Sequence, residues 1–176
     1  VYTEHYSFSK NKSYRKGMKK PMNKKKIAII NGPNINILGK REPSVYGIED
    51  WGLIENKVKA LGMQLQVELF FYQSNHEGDI VDFIQQNMYE LSGVVINPAA
   101  LSKTGYSLLD ALNALPIPYI EVHLSNIVSR GSWHSESIFT ETAVGFIMGL
   151  KGYVYELGLQ SINYYLEENQ NDEVSN

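Results

Sequence analysis

A carboxylate and an imidazole stand two residues apart in the segment "IPYIEVHLSN", residues 117–126, as Glu121 and His123. Residues two apart on a β-strand project from the same face of the sheet. A carboxylate beside an imidazole fixes the orientation of the ring and favours its protonated form, which suits a general acid. The alternative is a polar pair that satisfies its own hydrogen bonds at the end of a strand. The spacing is compatible with both.

A second candidate pair lies in the segment "GKREPSVYG", residues 39–47, where two glycines bracket Arg41 and Tyr46. A free tyrosine has a pKa of about 10, and a nearby arginine in a water-poor site favours the phenolate, which can act as a base. Glycine-bounded loops beside a ligand site are typical of lids. The alternative is a tyrosine that packs on the surface and an arginine that is solvated.

Other polar residues have ordinary explanations. Asn31 and Asn34 flank a Gly-Pro pair, where asparagine usually serves the turn through its own hydrogen bonds. Ser74 and Glu77 match the S-x-x-E capping box, which accounts for Glu77 and leaves His76 as a solvated residue of the first helical turn. The four histidines show no H-x-x-x-H spacing and the chain has no cysteine, so we predict no metal site.

Alternating apolar runs and helical patterns must position these groups. The pattern predicts strands over 26–31, 64–73, 93–98, 118–125 and 143–150. It predicts helices over 49–62, 74–91, 104–114 and 152–167. Parallel strands need crossover connections and are buried on both faces. The fold class is therefore α/β, a flavodoxin-like doubly wound five-stranded parallel sheet with helices on both faces.

In such sheets ligands bind beyond the carboxyl ends of the strands, where the strand order reverses. Polar residues follow three of the predicted strands at this edge. They are Asn31, Asn34 and Asn36 after the first strand, Asn97 at the end of the third, and Glu121, His123, Ser125 and Asn126 at the end of the fourth. We expect them to lie close together.

Composition and charge limit the class of protein. Nine of the 16 Lys and Arg residues lie in residues 1–26, so the remainder of the chain is acidic and ill suited to bind nucleic acid. We expect a disordered basic extension, native or added, over 1–22, one catalytic domain over 23–168 and a flexible tail over 169–176. No apolar run reaches the roughly 20 residues of a membrane span, and the lack of cysteine favours a cytoplasmic protein.

The string "NGPNINILGKREPSVYG", residues 31–47, closely resembles the opening motif of the type II 3-dehydroquinate dehydratases. The blocks "YQSNHEGDIVDFI", "VVINPAA", "IPYIEVHLSN" and "AVGFIMGLKGYVYEL" resemble later blocks of that family in the same order, so that the resemblance spans about residues 26–167. It implies a hydro-lyase of the shikimate pathway of aromatic amino acid biosynthesis. The reaction would convert 3-dehydroquinate to 3-dehydroshikimate with no cofactor or metal.

The resemblance also implies roles for five catalytic residues. Tyr46 matches the base that removes a proton from the carbon beside the ketone, and Arg41 matches the residue that favours its phenolate. Asn34 matches the asparagine that stabilises the enolate through an ordered water, in the manner of an oxyanion hole. His123 matches the acid that protonates the leaving hydroxyl, and Glu121 matches the carboxylate that positions it.

Further matches concern substrate binding and assembly. Asn97, with the backbone amides of Leu124 and Ser125, matches the group that holds the substrate carboxylate. Asp110 matches a residue that reaches the site of a neighbouring subunit. The family forms trimers, usually four of them in a dodecamer, so the resemblance implies a homo-oligomer.

Three positions depart from the family pattern. Ala99 stands where glycine is common, Lys103 where the family has histidine, and His134 where it has arginine. The last two fall on groups that contact the ring hydroxyls, so the resemblance leaves open a retuned homologue that binds a related cyclic polyol acid. A flavodoxin-like nucleotide or signalling module would need a phosphate-binding glycine loop or clustered acidic residues after the first strand, and the sequence has neither.

Overall fold

The computed structural model describes residues 24–40, 45, 47–115, 117–131 and 135–174. Five strands form one parallel sheet: β1 (Lys26–Asn31), β2 (Glu68–Gln73), β3 (Gly93–Asn97), β4 (Tyr119–His123) and β5 (Gly145–Met148). Four α-helices accompany them in the described residues: α1 (Trp51–Gln64), α2 (Glu77–Asn87), α3 (Tyr106–Asn113) and α4 (Tyr153–Val174). Short 3₁₀ turns occupy Ile35–Ile37, Ala99–Ser102 and Val128–Arg130.

The strand order is β2-β1-β3-β4-β5, so the order reverses between β1 and β3. The predicted flavodoxin-like doubly wound sheet is therefore confirmed. At the reversal, Asn31 of β1 and Asn97 of β3 are register partners, both at the carboxyl end of their strands. This edge is where a doubly wound sheet binds its ligand.

Strand residues alternate between two apolar cores, one on each face of the sheet. Ile27 and Ile29 belong to the core that also contains residues of α1 and α4. Ala28 and Ile30 belong to the core that also contains residues of α2 and α3. Because both faces of the sheet are buried, successive strand residues are apolar, and the strands are continuous apolar runs in the sequence.

Several element boundaries differ from the predictions, among them the start of β2 and the end of α4. The run 64–67 was predicted as part of β2, but α1 continues to Gln64 and β2 begins only at Glu68. Gln66 between them has a φ of 56°, in the left-handed region, which turns the chain back towards the sheet. At the other end of the chain, α4 continues to Val174 and includes most of the predicted tail.

The capping box predicted for Ser74 and Glu77 is wrong. The helix α2 begins at Glu77, and the Ser74 hydroxyl accepts from the backbone N–H of His76 (2.9 Å) and donates to Asp79 (2.8 Å). The Glu77 carboxylate instead accepts the backbone N–H of Leu108, in the first turn of α3, at 3.0 Å. Glu77 therefore caps a neighbouring helix and joins α2 to α3.

Replacing Glu77 with alanine should destabilise the fold by about 1 to 2 kcal/mol, because it removes a charged acceptor from the first turn of α3. Urea unfolding followed by circular dichroism would measure the change. The matched control is Asp82→Ala, an exposed carboxylate on the same helix, for which we expect less than about 0.5 kcal/mol. Equal effects of the two substitutions would contradict the capping role.

Within the residues that the structure describes, no helix has the length and apolar character needed to cross a membrane.

Candidate active site

A cleft of about 260 Å³ lies at the carboxyl ends of β1, β3 and β4. Six predicted site residues line it: Asn34, Asn97, Ala99, His123, Leu124 and Ser125. Of the polar residues expected to meet at the strand ends, Asn34, Asn97, His123 and Ser125 line the cleft, although they are up to 91 residues apart in the chain. Asn31 and Glu121 are buried, and Asn36 and Asn126 do not line it.

The turn after β1 packs directly on the turn after β3. The backbone N–H of Gly32 donates to the carbonyl of Asn97 at 2.8 Å. A Cβ atom at Gly32 would lie 2.3 Å from the carbonyl oxygen of Pro98, so only glycine fits at this position. The contact fixes the distance between the two turns that form one wall of the cleft.

Asn34 lies in that turn in the left-handed conformation, with a φ of 70°. Its backbone N–H donates to Asn75 at 2.9 Å, and its side chain does not cap the 3₁₀ turn that follows. The side chain is exposed at the cleft. It therefore faces the site, whereas Asn31 is fully buried beneath it.

Glu121 and His123 form the predicted pair on one face of β4. The carboxylate of Glu121, 0% exposed, accepts from Nε2 of His123 at 2.7 Å. The hydroxyl of Thr140 donates to the other carboxylate oxygen at 2.6 Å. The imidazole is 5% exposed and Phe146 packs edge-on against it, with ring centroids 5.6 Å apart.

This geometry leaves Nδ1 of His123 as the ring nitrogen that does not contact Glu121. Because the ring lines the cleft, a protonated His123 can donate from Nδ1 to a bound molecule while Glu121 holds Nε2–H. The two side chains bond to each other, as the alternative interpretation required, and the ring of His123 also lines the cleft. The arrangement is that of a positioned general acid.

A buried network of hydrogen bonds holds the side chain of Asn97 in place. The hydroxyl of Tyr155 accepts from Nδ2 of Asn97 at 2.8 Å and donates to Oδ1 of Asn31 at 2.7 Å. Oδ1 of Asn97 accepts the backbone N–H of Ala99 at 3.2 Å. One hydrogen of Nδ2 then remains for the cleft, since an amide nitrogen carries two. Burial raises the pKa of Tyr155 far above its ordinary value, so the phenol stays neutral.

Other predicted residues lie elsewhere. Lys103 is half-buried and Asp110 is exposed on α3, and neither lines the cleft. Arg41, Tyr46 and His134 lie outside the described residues.

Ala99 has a φ of 52°, in the region that favours glycine. This backbone conformation explains why the family pattern has glycine at the position of Ala99.

Several residues of this region were missed from the sequence, Tyr155 among them. Arg130 and Ser102 line the cleft, and the hydroxyl of Thr140 donates a hydrogen bond to Glu121. A signal for Arg130 existed, because it is one of only seven basic residues in the acidic part of the chain after residue 26. Nothing in the local sequence marks Thr140, which lies 19 residues from its partner.

Among the described residues, no group of three His, Asp or Glu side chains is placed to hold a metal ion.

The fold and the cleft together define a flavodoxin-like α/β protein with an acid–base pair at its strand ends. The chain belongs to the family described as Dehydroquinase class II, whose sequence model matches residues 25–163. The resemblance seen in the motifs is thereby confirmed.

Curated relatives and solved structures agree with this assignment. The chain is 47% identical over 135 residues to the 3-dehydroquinate dehydratase of Endomicrobium trichonymphae, covering 76% of this chain and 94% of that protein. It is 44% identical over 138 residues to a catabolic 3-dehydroquinase of Aspergillus oryzae, covering 78% and 90%. The crystal structure of a type II dehydroquinase from Butyrivibrio crossotus superposes with a TM-score of 0.77 at 37% identity, covering 80% and 98%.

Proposed function

We propose that this chain is a 3-dehydroquinate dehydratase, a hydro-lyase that eliminates water from 3-dehydroquinate to give 3-dehydroshikimate. The observation that carries the proposal is the Glu121–His123 pair, whose imidazole lines a cleft at the strand ends of a class II dehydroquinase fold. The names of relatives that this chain matches over most of their length support the same reaction.

The reaction requires a base, a site for the enolate and an acid. We assign the base to Tyr46 and its activation to Arg41, on the sequence motif alone. The phenolate removes a proton from the carbon beside the ketone, and the electron pair moves onto the ketone oxygen. Asn34, exposed at the cleft, stabilises this enolate through a water molecule.

His123 completes the elimination. As the enolate collapses, the bond to the hydroxyl breaks and His123 donates a proton from Nδ1, so the group leaves as water. Glu121 stabilises the imidazolium before the transfer and holds the ring in one orientation. The burial of the pair strengthens this electrostatic interaction.

We assign the substrate carboxylate to the part of the cleft beside Asn97. Asn97 offers its remaining Nδ2 hydrogen, and the backbone amides of Leu124 and Ser125 follow the end of β4. Lys103, which does not line the cleft, and His134, which lies outside the described residues, are proposed contacts of the ring hydroxyls on the sequence motif alone. Arg130 is a further cation at the cleft that a carboxylate would meet.

A direct assay tests the proposal. Purified protein is mixed with 3-dehydroquinate, and the conjugated product is followed by its ultraviolet absorbance. We expect turnover without added metal or cofactor. Absence of product at high enzyme concentration would overturn the proposal, and calorimetric binding of the same compound without turnover would identify the retuned homologue instead.

Replacing Thr140 with valine should lower kcat by about tenfold, because Glu121 loses a charge-assisted hydrogen bond and holds His123 less firmly. Steady-state kinetics with 3-dehydroquinate would measure the loss. The control is Thr142→Val, whose hydroxyl contacts Tyr119 at 2.5 Å rather than Glu121. We expect this control to change stability but not kcat; equal losses would show that Thr140 acts only through the fold.

The homo-oligomer is also part of the proposal. Asp110 is exposed on α3 and lies outside the cleft of its own chain. A residue that contacts the site of a neighbouring subunit would have this placement. Among the described residues, β5 has a strand partner on one side only, and Tyr164 beside it is 64% exposed. Light scattering after gel filtration would distinguish a dodecamer of four trimers from smaller species. The cytoplasmic location stays a prediction from the composition.

A further inference from the structure

Lys151 has an unusual backbone conformation. It lies in the turn between β5 and α4 with a φ of 54°, in the left-handed region. A residue with a Cβ atom is strained there, and such strain persists where the surrounding structure holds the residue in place. The contacts of the Lys151 side chain, which glycine would lack, bear on why a residue other than glycine stands here.

The backbone of this turn is fixed to the end of β4. The N–H of Lys151 donates to the carbonyl of Leu124 at 2.9 Å, and the N–H of Gly149 donates to the carbonyl of His123 at 3.0 Å. The proposed acid and its neighbour therefore hold the turn directly. These two bonds couple the position of Lys151 to that of His123.

The side chain of Lys151 reaches in the other direction. Its ammonium donates to the carbonyl of Val45, which is part of the peptide bond between Val45 and Tyr46. Gly47 lies against the same side chain, since a Cβ atom at Gly47 would be 3.7 Å from both Cβ and Cδ of Lys151. Lys151 thus bonds to the backbone of Val45, and its side chain lies beside Gly47, the residues before and after position 46.

We infer that Lys151 is a positioning residue, which sets the placement of the segment carrying Tyr46 relative to His123. The inference rests on the proposed function, in which Tyr46 is the base and His123 the acid. An ammonium that donates to a carbonyl makes a charge-assisted hydrogen bond, stronger than a neutral one. Because acid and base must meet one substrate from two directions, an error of about 1 Å in their spacing can cost about a hundredfold in rate.

Two substitutions test the inference. Lys151→Met keeps the length of the side chain but removes the donor, and Lys151→Gly removes the side chain and relieves the backbone strain. We expect kcat to fall by roughly ten- to a hundredfold in both, with KM within about threefold of the wild type. We expect Lys151→Arg, which keeps a cationic donor, to recover part of the loss.

A matched control separates strain from positioning. Gln66 has the same left-handed conformation, with a φ of 56°, but it precedes β2 at the opposite edge of the sheet. Gln66→Gly should therefore change the melting temperature as Lys151→Gly does while leaving kcat unchanged. Unchanged kcat in both Lys151→Met and Lys151→Gly, or a rise in KM alone, would overturn the inference.

A second readout does not depend on activity. Amide hydrogen exchange at Val45 and Gly47 should be faster in Lys151→Met than in the wild type, and unaltered in Gln66→Gly. If the wild type fails to convert 3-dehydroquinate, the proposed function fails, and this measurement alone decides whether Lys151 holds the segment. Equal exchange in the wild type and Lys151→Met would show that it does not.

Discussion

Replacing His123 with glutamine is expected to lower kcat for 3-dehydroquinate by about 10²- to 10⁴-fold, the range typical of a lost general acid. Glutamine can still donate a hydrogen bond to Glu121, so the buried carboxylate keeps a partner. It cannot deliver a proton to the leaving hydroxyl. The fold should therefore survive while the elimination step fails.

The matched control is His76→Gln. His76 is exposed at the start of α2 and its side chain makes no capping bond, so kcat should stay within about twofold of the wild type. Wild-type activity in His123→Gln would show that another group protonates the hydroxyl.

The second large effect is expected from Tyr46→Phe, which removes the proposed base and should lower kcat by about 10³-fold or more. Tyr89→Phe is its control, since Tyr89 is 92% exposed and lies after α2. Retained activity in Tyr46→Phe would mean that the base is misassigned. Circular dichroism would check that each variant is folded.

Hydrogen exchange into the substrate separates the two roles. In heavy water, a base that forms the enolate and then returns a deuteron labels the carbon beside the ketone. His123→Gln should therefore still label recovered 3-dehydroquinate, because only the later step is blocked. Tyr46→Phe should show neither label nor product. The opposite pattern would exchange the roles of the two residues.

The sheet could be predicted because each strand is a short apolar run between turn residues, and its parallel order follows from the crossover helices. The Glu121–His123 contact could be predicted because two residues of one strand share a face. The start of β2 was mispredicted because Leu65 and Val67 alternate with polar residues just as a strand would. Helix α1 instead extends to Gln64, and residues 65–67 form the turn that leads into β2.

The supporting contacts could not be predicted, because each joins distant parts of the chain. Thr140 reaches Glu121 across 19 residues, Tyr155 reaches Asn97 across 58, and Lys151 reaches Val45 across 106. The capping box was mispredicted for the same reason, since the Glu77 carboxylate accepts a hydrogen bond from α3 and not from its own helix. Local patterns describe what a residue can do, and tertiary packing decides where it does so.

The Asn31–Tyr155–Asn97 network bears on the design of inhibitors. Its members are two amides and a phenol whose pKa burial raises, so none of them changes its protonation state near neutral pH. An anionic group bound at Asn97 would therefore lie on a network whose charge does not change near neutral pH. A change of inhibitor potency with pH would then have to arise from groups outside this network, and a carboxylate at Asn97 could be kept constant across a compound series.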